Sequence, residues 1–125
     1  MLDPLPPTIP HAAQAAARTW PDAPAVLENG EVWSFAELWQ RSRAATSAML
    51  ARGVGAGDRV AIWAPNSREW IVAAIAVMTC GAAVVTLNTR LKGREAGDIL
   101  RRTNAKLLFT VEVFLGIDYR ALIAD

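Results

Sequence analysis

The sequence predicts an α/β fold: a three-layer, partial parallel sheet with helices on both faces and a small N-terminal β-hairpin, the whole being an incomplete part of a larger domain. Three observations predict it. From Arg59 onward, short apolar runs alternate with helical patterns, and parallel strands need such a covering element at each return. Ala, Val and Ile fall on both faces of those runs, as in a sheet covered on both sides. Only three such runs are present, so both edges of the sheet lack a partner strand, an association hazard for a unit standing alone. The composition agrees: with 53% hydrophobic and 20% charged residues, much of this surface is built to be covered.

The elements follow in order. Met1 to Pro10 holds four prolines, and residues 1–8 read as an extended arm. Thr8 is placed to cap a helix reaching Thr19, with Pro10 tolerated in the opening turn. Ala25 to Glu28 and Val32 to Ser34 flank Asn29-Gly30, a pair that accepts the positive φ angles of a type I′ hairpin. Ser34 and Glu37 form a capping box, Trp33 and Leu38 a hydrophobic staple. The helix they open should run to Arg52, bury Leu38, Ala45 and Met49, and stop at Gly53. Arg59 to Trp63 is a strand. Asn66 or Ser67 caps a helix through Thr79, which Gly81 ends before a strand from Ala83 to Leu87. A helix from about Gly93 to Thr103 and a strand from Lys106 to Val111 complete the alternation. The tail reads as a short turn and a helical piece near Asp118 to Ala124.

Several classes of function are excluded early. The net charge of +1 creates no general field for nucleic acid or an anionic membrane, so any anion site is local. Cys80 is the only cysteine, which forbids an internal disulfide and points to the cytoplasm. With His11 the only histidine, no set of Cys and His ligands for a structural zinc can form. No basic residue precedes the first apolar positions, unlike a secretory signal. Trp70 to Leu87 carries no charge, yet Thr79-Cys80-Gly81 interrupts it and β-branched residues fill its second half. It reads as a buried helix and a buried strand rather than a transmembrane segment.

Of the candidate chemical groups, most have a plainer structural account. Gly53, Gly55 and Gly57 follow a helix and precede a strand, the reverse of the order a dinucleotide-binding loop requires. No P-loop sequence occurs. His11 has no orienting partner nearby in sequence and reads as a surface or partly packed residue. Cys80 sits among apolar neighbours and reads as an inert core thiol. Glu95 and Asp98 lie among Arg94, Arg101 and Arg102, where Arg94–Asp98 and Asp98–Arg102 ion pairs on a solvated helix face are expected. Trp20, Trp33, Trp39, Trp63 and Trp70 are spaced as separate core contacts. No catalytic and no metal-binding residue is assigned. Arg90 stands apart: it follows Leu87-Asn88-Thr89 at a strand end, where open α/β sheets gather their ligands, with Lys92 and Arg94 close by. On composition alone it is a solvent-exposed arginine; its position makes it the candidate for a phosphate.

Taken together, four segments resemble the N-terminal part of the adenylate-forming acyl-CoA ligases, also called AMP-dependent synthetases or fatty-acyl-CoA ligases. They are Trp33-Ser34-Phe35-Ala36-Glu37-Leu38; Gly57-Asp58-Arg59-Val60-Ala61-Ile62 with Pro65-Asn66-Ser67-Arg68-Glu69; Gly81-Ala82-Ala83-Val84-Val85; and Leu87-Asn88-Thr89-Arg90. Phe114-Leu115-Gly116 with Asp118-Tyr119 further resembles the bacterial branch that activates steroid-derived acids. The resemblance implies that residues 9–125 are the N-terminal portion of the AMP-binding large domain, ending before the ATP-binding motifs. It implies an enzyme that activates a fatty or steroid-derived carboxylic acid with ATP and magnesium and transfers the acyl group to CoA, a homodimer being compatible with it. The fragment alone should be inactive, because the family's phosphate loop, ribose-binding aspartate, magnesium-binding glutamate and mobile-domain lysine have no counterpart before Asp125. Asn88-Thr89-Arg90-Leu91 matches the segment whose arginine approaches the 3′-phosphate of CoA, which makes Arg90 the one cofactor-binding candidate. The competing reading is a noncatalytic α/β interaction or binding module that offers a sheet edge to another chain.

Overall fold

A computed structural model describes residues 4–123 of the chain. Pro4 to Thr8 are exposed and belong to no helix or strand; the first three residues of the expected arm, and the expected helical end at Ala124, lie outside the described residues. Thr8 caps α1 (Ile9–Thr19) by accepting the His11 amide at 3.3 Å. No residue of α1 is buried, and it rests against the two following helices rather than on the sheet. β1 (Pro24–Glu28) and β2 (Glu31–Ser34) form the hairpin, with Asn29 and Gly30 at φ 51° and 78° as a type I′ turn demands. At Ser34 both halves of the capping box are made: Ser34 Oγ accepts from Glu37 N at 3.1 Å, and Glu37 Oε2 accepts from Ser34 N at 2.8 Å. The staple residues Trp33 and Leu38 are both buried.

The helix so opened, α2, is Phe35–Ala51, and Gly53 follows at φ 81°. Besides Leu38 and Met49 it buries Ser42 and Thr46, whose hydroxyls donate to the carbonyls of Leu38 and Ser42 at 2.8 Å and so enter the core satisfied. Next come β3 (Arg59–Trp63), α3 (Arg68–Thr79, capped by Ser67), β4 (Ala83–Thr86), α4 (Gly93–Thr103) and β5 (Leu107–Thr110). The three strands are parallel in the order β4-β3-β5. The chain therefore steps from β3 to one edge, then crosses β3 to reach the other.

That crossing divides the core between two faces. Val60 and Ile62 of β3 pack under α2 and α3, against Met49, Val77 and Ala73. Ala61 and Trp63 point the other way, toward Ala96 of α4 and Tyr119. Alternation along one strand thus feeds both cores. The uncharged stretch from Trp70 is α3 followed by β4, parted at Gly81, whose φ of 81° a side chain would strain and whose added Cβ would meet Ala56 at 3.4 Å. Among the described residues no helix is long and apolar enough to cross a membrane.

The structure corrects the sequence reading at several points. The tail is not merely a turn before a helix: β6 (Val113–Phe114) and β7 (Ile117–Asp118) form a second hairpin, with Leu115 and Gly116 at φ 50° and 75°, and α5 is Tyr119–Ile123. Strands of two residues are too short to show a period. β4 and β5 each stop short of the expected limits, although Leu87 N still donates to Ile62 O at 3.0 Å beyond the strand end. Trp20 is 59% exposed rather than a core contact, because it lies past the last turn of α1. On α4, Asp98 pairs with Arg102 at 2.9 Å and Arg101 at 3.8 Å, not with Arg94.

Candidate functional site

Asn88-Thr89-Arg90-Leu91 forms a tight turn just past the carboxyl end of β4. Leu91 N donates to Asn88 O at 3.1 Å, and the Asn88 side-chain Oδ1 accepts from Arg90 N at 2.9 Å. Both bonds come from Asn88, whose short polar side chain suits a local backbone turn. Two carbonyls of the turn, Asn88 O a second time and Thr89 O, are also held from outside it. Trp63 Nε1 donates to Asn88 O at 3.0 Å, and the Tyr119 hydroxyl donates to Thr89 O at 2.7 Å. The two aromatic rings meet edge to face with centroids 4.7 Å apart, and both side chains are essentially inaccessible to solvent. A buried floor therefore grips the turn while its outer side faces water.

Arg90, Lys92 and Arg94 are all exposed. None of the three enters an ion pair among the described residues. Glu95, the nearest carboxylate in sequence, is occupied instead at the start of α4, accepting from Lys92 N at 2.8 Å. An exposed arginine without an ion pair among the described residues, rooted in a fixed turn, has its guanidinium available to a phosphate group. The turn is also closed in from the tail: a Cβ added to Gly93 would run into the Leu122 carbonyl, so α5 approaches α4 as closely as a glycine permits.

The remaining candidates are not brought into this corner. His11 Nδ1 lies 2.6 Å from Thr8 Oγ1 at the opening of α1. Among the described residues it is the only titratable one lining a concavity of about 700 Å³ between α1 and the end of α3. Cys80 is half-buried, its Sγ 3.8 Å from Thr46 O, and burial pushes its thiol pKa up, away from a reactive thiolate. Trp33 lies between the guanidinium groups of Arg41 and Arg68, at 4.2 and 4.6 Å from its ring centre. Arg68 also binds the carboxylates of Glu28, Glu31 and Glu69, so this cluster fastens the first hairpin to α3. Among the described residues no three His, Cys, Asp or Glu side chains converge as a metal site would require.

Sequence reasoning singled out Arg90 as a candidate but not Trp63 and Tyr119, which hold the turn that carries it. Trp63 stood out only as a core aromatic, and Tyr119 lies 29 positions further along the chain than Arg90, so nothing local connects them.

A parallel sheet with helices on both faces and a basic turn at a strand's carboxyl end defines an open α/β scaffold. The chain belongs to the AMP-binding enzyme family, whose description matches residues 13–123. It is 43% identical over 114 residues to the 3-[(3aS,4S,7aS)-7a-methyl-1,5-dioxo-octahydro-1H-inden-4-yl]propanoyl:CoA ligase of Mycobacterium tuberculosis, covering 91% of this chain and 22% of that protein. With the enzyme of the same name from Rhodococcus jostii the identity is 38% over 120 residues, 96% of this chain and 23% of the relative. Among solved structures, the o-succinylbenzoate CoA synthetase of Bacillus subtilis bound to its product analogue superposes with a TM-score of 0.78 at 26% identity, covering 90% of this chain and 25% of that one. The N-terminal subdomain of Klebsiella oxytoca NpsA superposes equally well, at 0.78 and 25% identity, over 87% of this chain and 28% of that one. The chain thus spans less than a quarter of the length of these curated relatives.

Proposed function

We propose that this chain forms the N-terminal portion of the large domain of an acid–thiol ligase and that Arg90 receives the 3′-phosphate of CoA. The observation that carries the reading is the Asn88-to-Leu91 turn, which holds an uncommitted arginine at the carboxyl end of a parallel strand. In such a ligase ATP, with magnesium, turns a carboxylate into an acyl-adenylate whose acyl group the CoA thiol then takes. On this reading the described residues supply a platform and an anion contact. The guanidinium of Arg90 offers a planar pair of donors to phosphate oxygens, with Lys92 and Arg94 adding positive charge close by in the chain. The sheet edges at β4 and β5 are completed by the rest of the polypeptide, which brings the ATP-binding groups. A steroid-derived or fatty acid is the substrate class, supported by the names of the curated relatives, and the setting is cytoplasmic, with a homodimer as the assembly to test by light scattering.

The test is ATP–pyrophosphate exchange with a panel of such acids. The 125-residue chain gives none by itself, whereas the chain joined to the part of the Mycobacterium tuberculosis relative that follows its matched region does. Exchange by the chain alone would sink the reading. In the joined protein, Arg90→Ala raises KM for CoA by roughly 10- to 100-fold, the scale of one charge-assisted hydrogen bond, and leaves KM for 3′-dephospho-CoA unchanged.

A further inference from the structure

We infer that Tyr119 is a positioning residue for Arg90: through its hydroxyl it holds the turn from which that arginine meets a phosphate. The inference rests on the CoA reading above and extends it to a residue 29 positions away in sequence. Four observations support it. The Tyr119 hydroxyl donates to Thr89 O at 2.7 Å, the carbonyl of the residue immediately before Arg90. Its ring is 1% exposed and braced at its edge by Trp63, which itself holds Asn88 O, so the donor cannot swing away. The backbone of Tyr119 is fixed in turn, its amide donating to Glu112 O at 2.9 Å, while Asp118 Oδ1 accepts from Arg120 N and Ala121 N at 3.0 and 3.1 Å. Finally, Gly93 lets α5 seat directly on the start of α4, two residues past the same turn.

The physical consequence concerns preorganisation rather than contact. Arg90 has a long side chain rooted in a turn of four residues, and an unpinned turn would have to be ordered each time a phosphate arrived. Two buried aromatic donors on consecutive carbonyls remove that freedom in advance. The second hairpin acquires a purpose on this reading: it is the device that turns the chain back and delivers Tyr119 to the floor of the turn.

Tyr119→Phe tests this, because it keeps the ring against Trp63 and deletes only the donor. In the joined ligase the preference for CoA over 3′-dephospho-CoA, read as the ratio of their KM values, should fall by about 3- to 5-fold, with kcat unchanged. The amides of Arg90 and Leu91 should exchange with solvent faster by a similar factor. Thr103→Val serves as the control, deleting a hydroxyl-to-carbonyl bond of 2.8 Å at the other end of α4, and should leave the CoA preference intact. If Arg90→Ala abolishes the preference while Tyr119→Phe leaves it untouched, the positioning role is refuted and the CoA reading stands. If Arg90→Ala also leaves it untouched, the CoA reading itself fails and the positioning role with it.

Discussion

Trp63→Phe is the most informative perturbation of the fold, because one side chain closes the lower core and fixes the candidate site. Its indole is 0% exposed, packs among Leu87, Ala96 and Tyr119, and donates from Nε1 to Asn88 O at 3.0 Å. Phenylalanine keeps the six-membered ring and the edge contact with Tyr119 but removes two ring carbons and the N–H. At roughly 0.8 kcal/mol per buried carbon the lost burial amounts to about 1.6 kcal/mol. The hydrogen bond adds about 1 kcal/mol and little more, since Asn88 O keeps its bond from Leu91 N at 3.1 Å. The expected loss is therefore about 2.5 kcal/mol. Urea unfolding followed by far-ultraviolet circular dichroism measures it as a lower midpoint at unchanged slope. A loss below about 0.5 kcal/mol would refute the reasoning, for it would mean that Trp63 fills no closed space and holds nothing.

Two further outcomes follow from the ionisable groups. Asp58 Oδ2 accepts from Gly55 N at 2.8 Å and lies 3.2 Å from Lys106 Nζ, which together hold its carboxyl below the ordinary value of 3.8, the Gly55 bond being the larger cause. A depressed folded-state pKa stabilises the fold above the ordinary value and ceases to do so as pH falls through the depressed one. Urea midpoints of Asp58→Asn should thus decline less steeply than those of the parent from about pH 5 downward, and parallel curves would contradict this. For Cys80, whose thiol is shifted above 9.0 by burial, iodoacetamide at pH 8 should react more slowly than with a small free thiol and at the ordinary rate once urea unfolds the chain. Equal rates in the folded and unfolded chain would overturn that assignment.

The elements most legible in the sequence were those whose signals are local. Asn29-Gly30 marked a type I′ turn, Ser34 with Glu37 marked the opening of α2, and Gly53 and Gly81 marked helix ends, because each depends on the φ angles or caps available to a few neighbouring residues. The place of Arg90 just past the end of β4 was legible for a related reason, since Leu87 closes an apolar run and Asn88 favours a turn. The second hairpin was not, as Val113-Phe114 and Ile117-Asp118 are too short to display alternation. Nor was the polar stripe of Ser42 and Thr46 on the buried side of α2, which is tolerated only because each hydroxyl finds the carbonyl four residues earlier.

The sequence by itself determined the kinds of element, their order and the parallel character of the sheet, because period, caps and turn residues act over a handful of positions. Tertiary structure decided what lay far apart in the chain: that β5 returns to the free edge of β3, that Val60 and Ala61 serve opposite cores, and that Tyr119 reaches back to the residue before Arg90. Those outcomes depend on which surfaces meet when the whole chain packs, and no window of neighbouring residues contains that information.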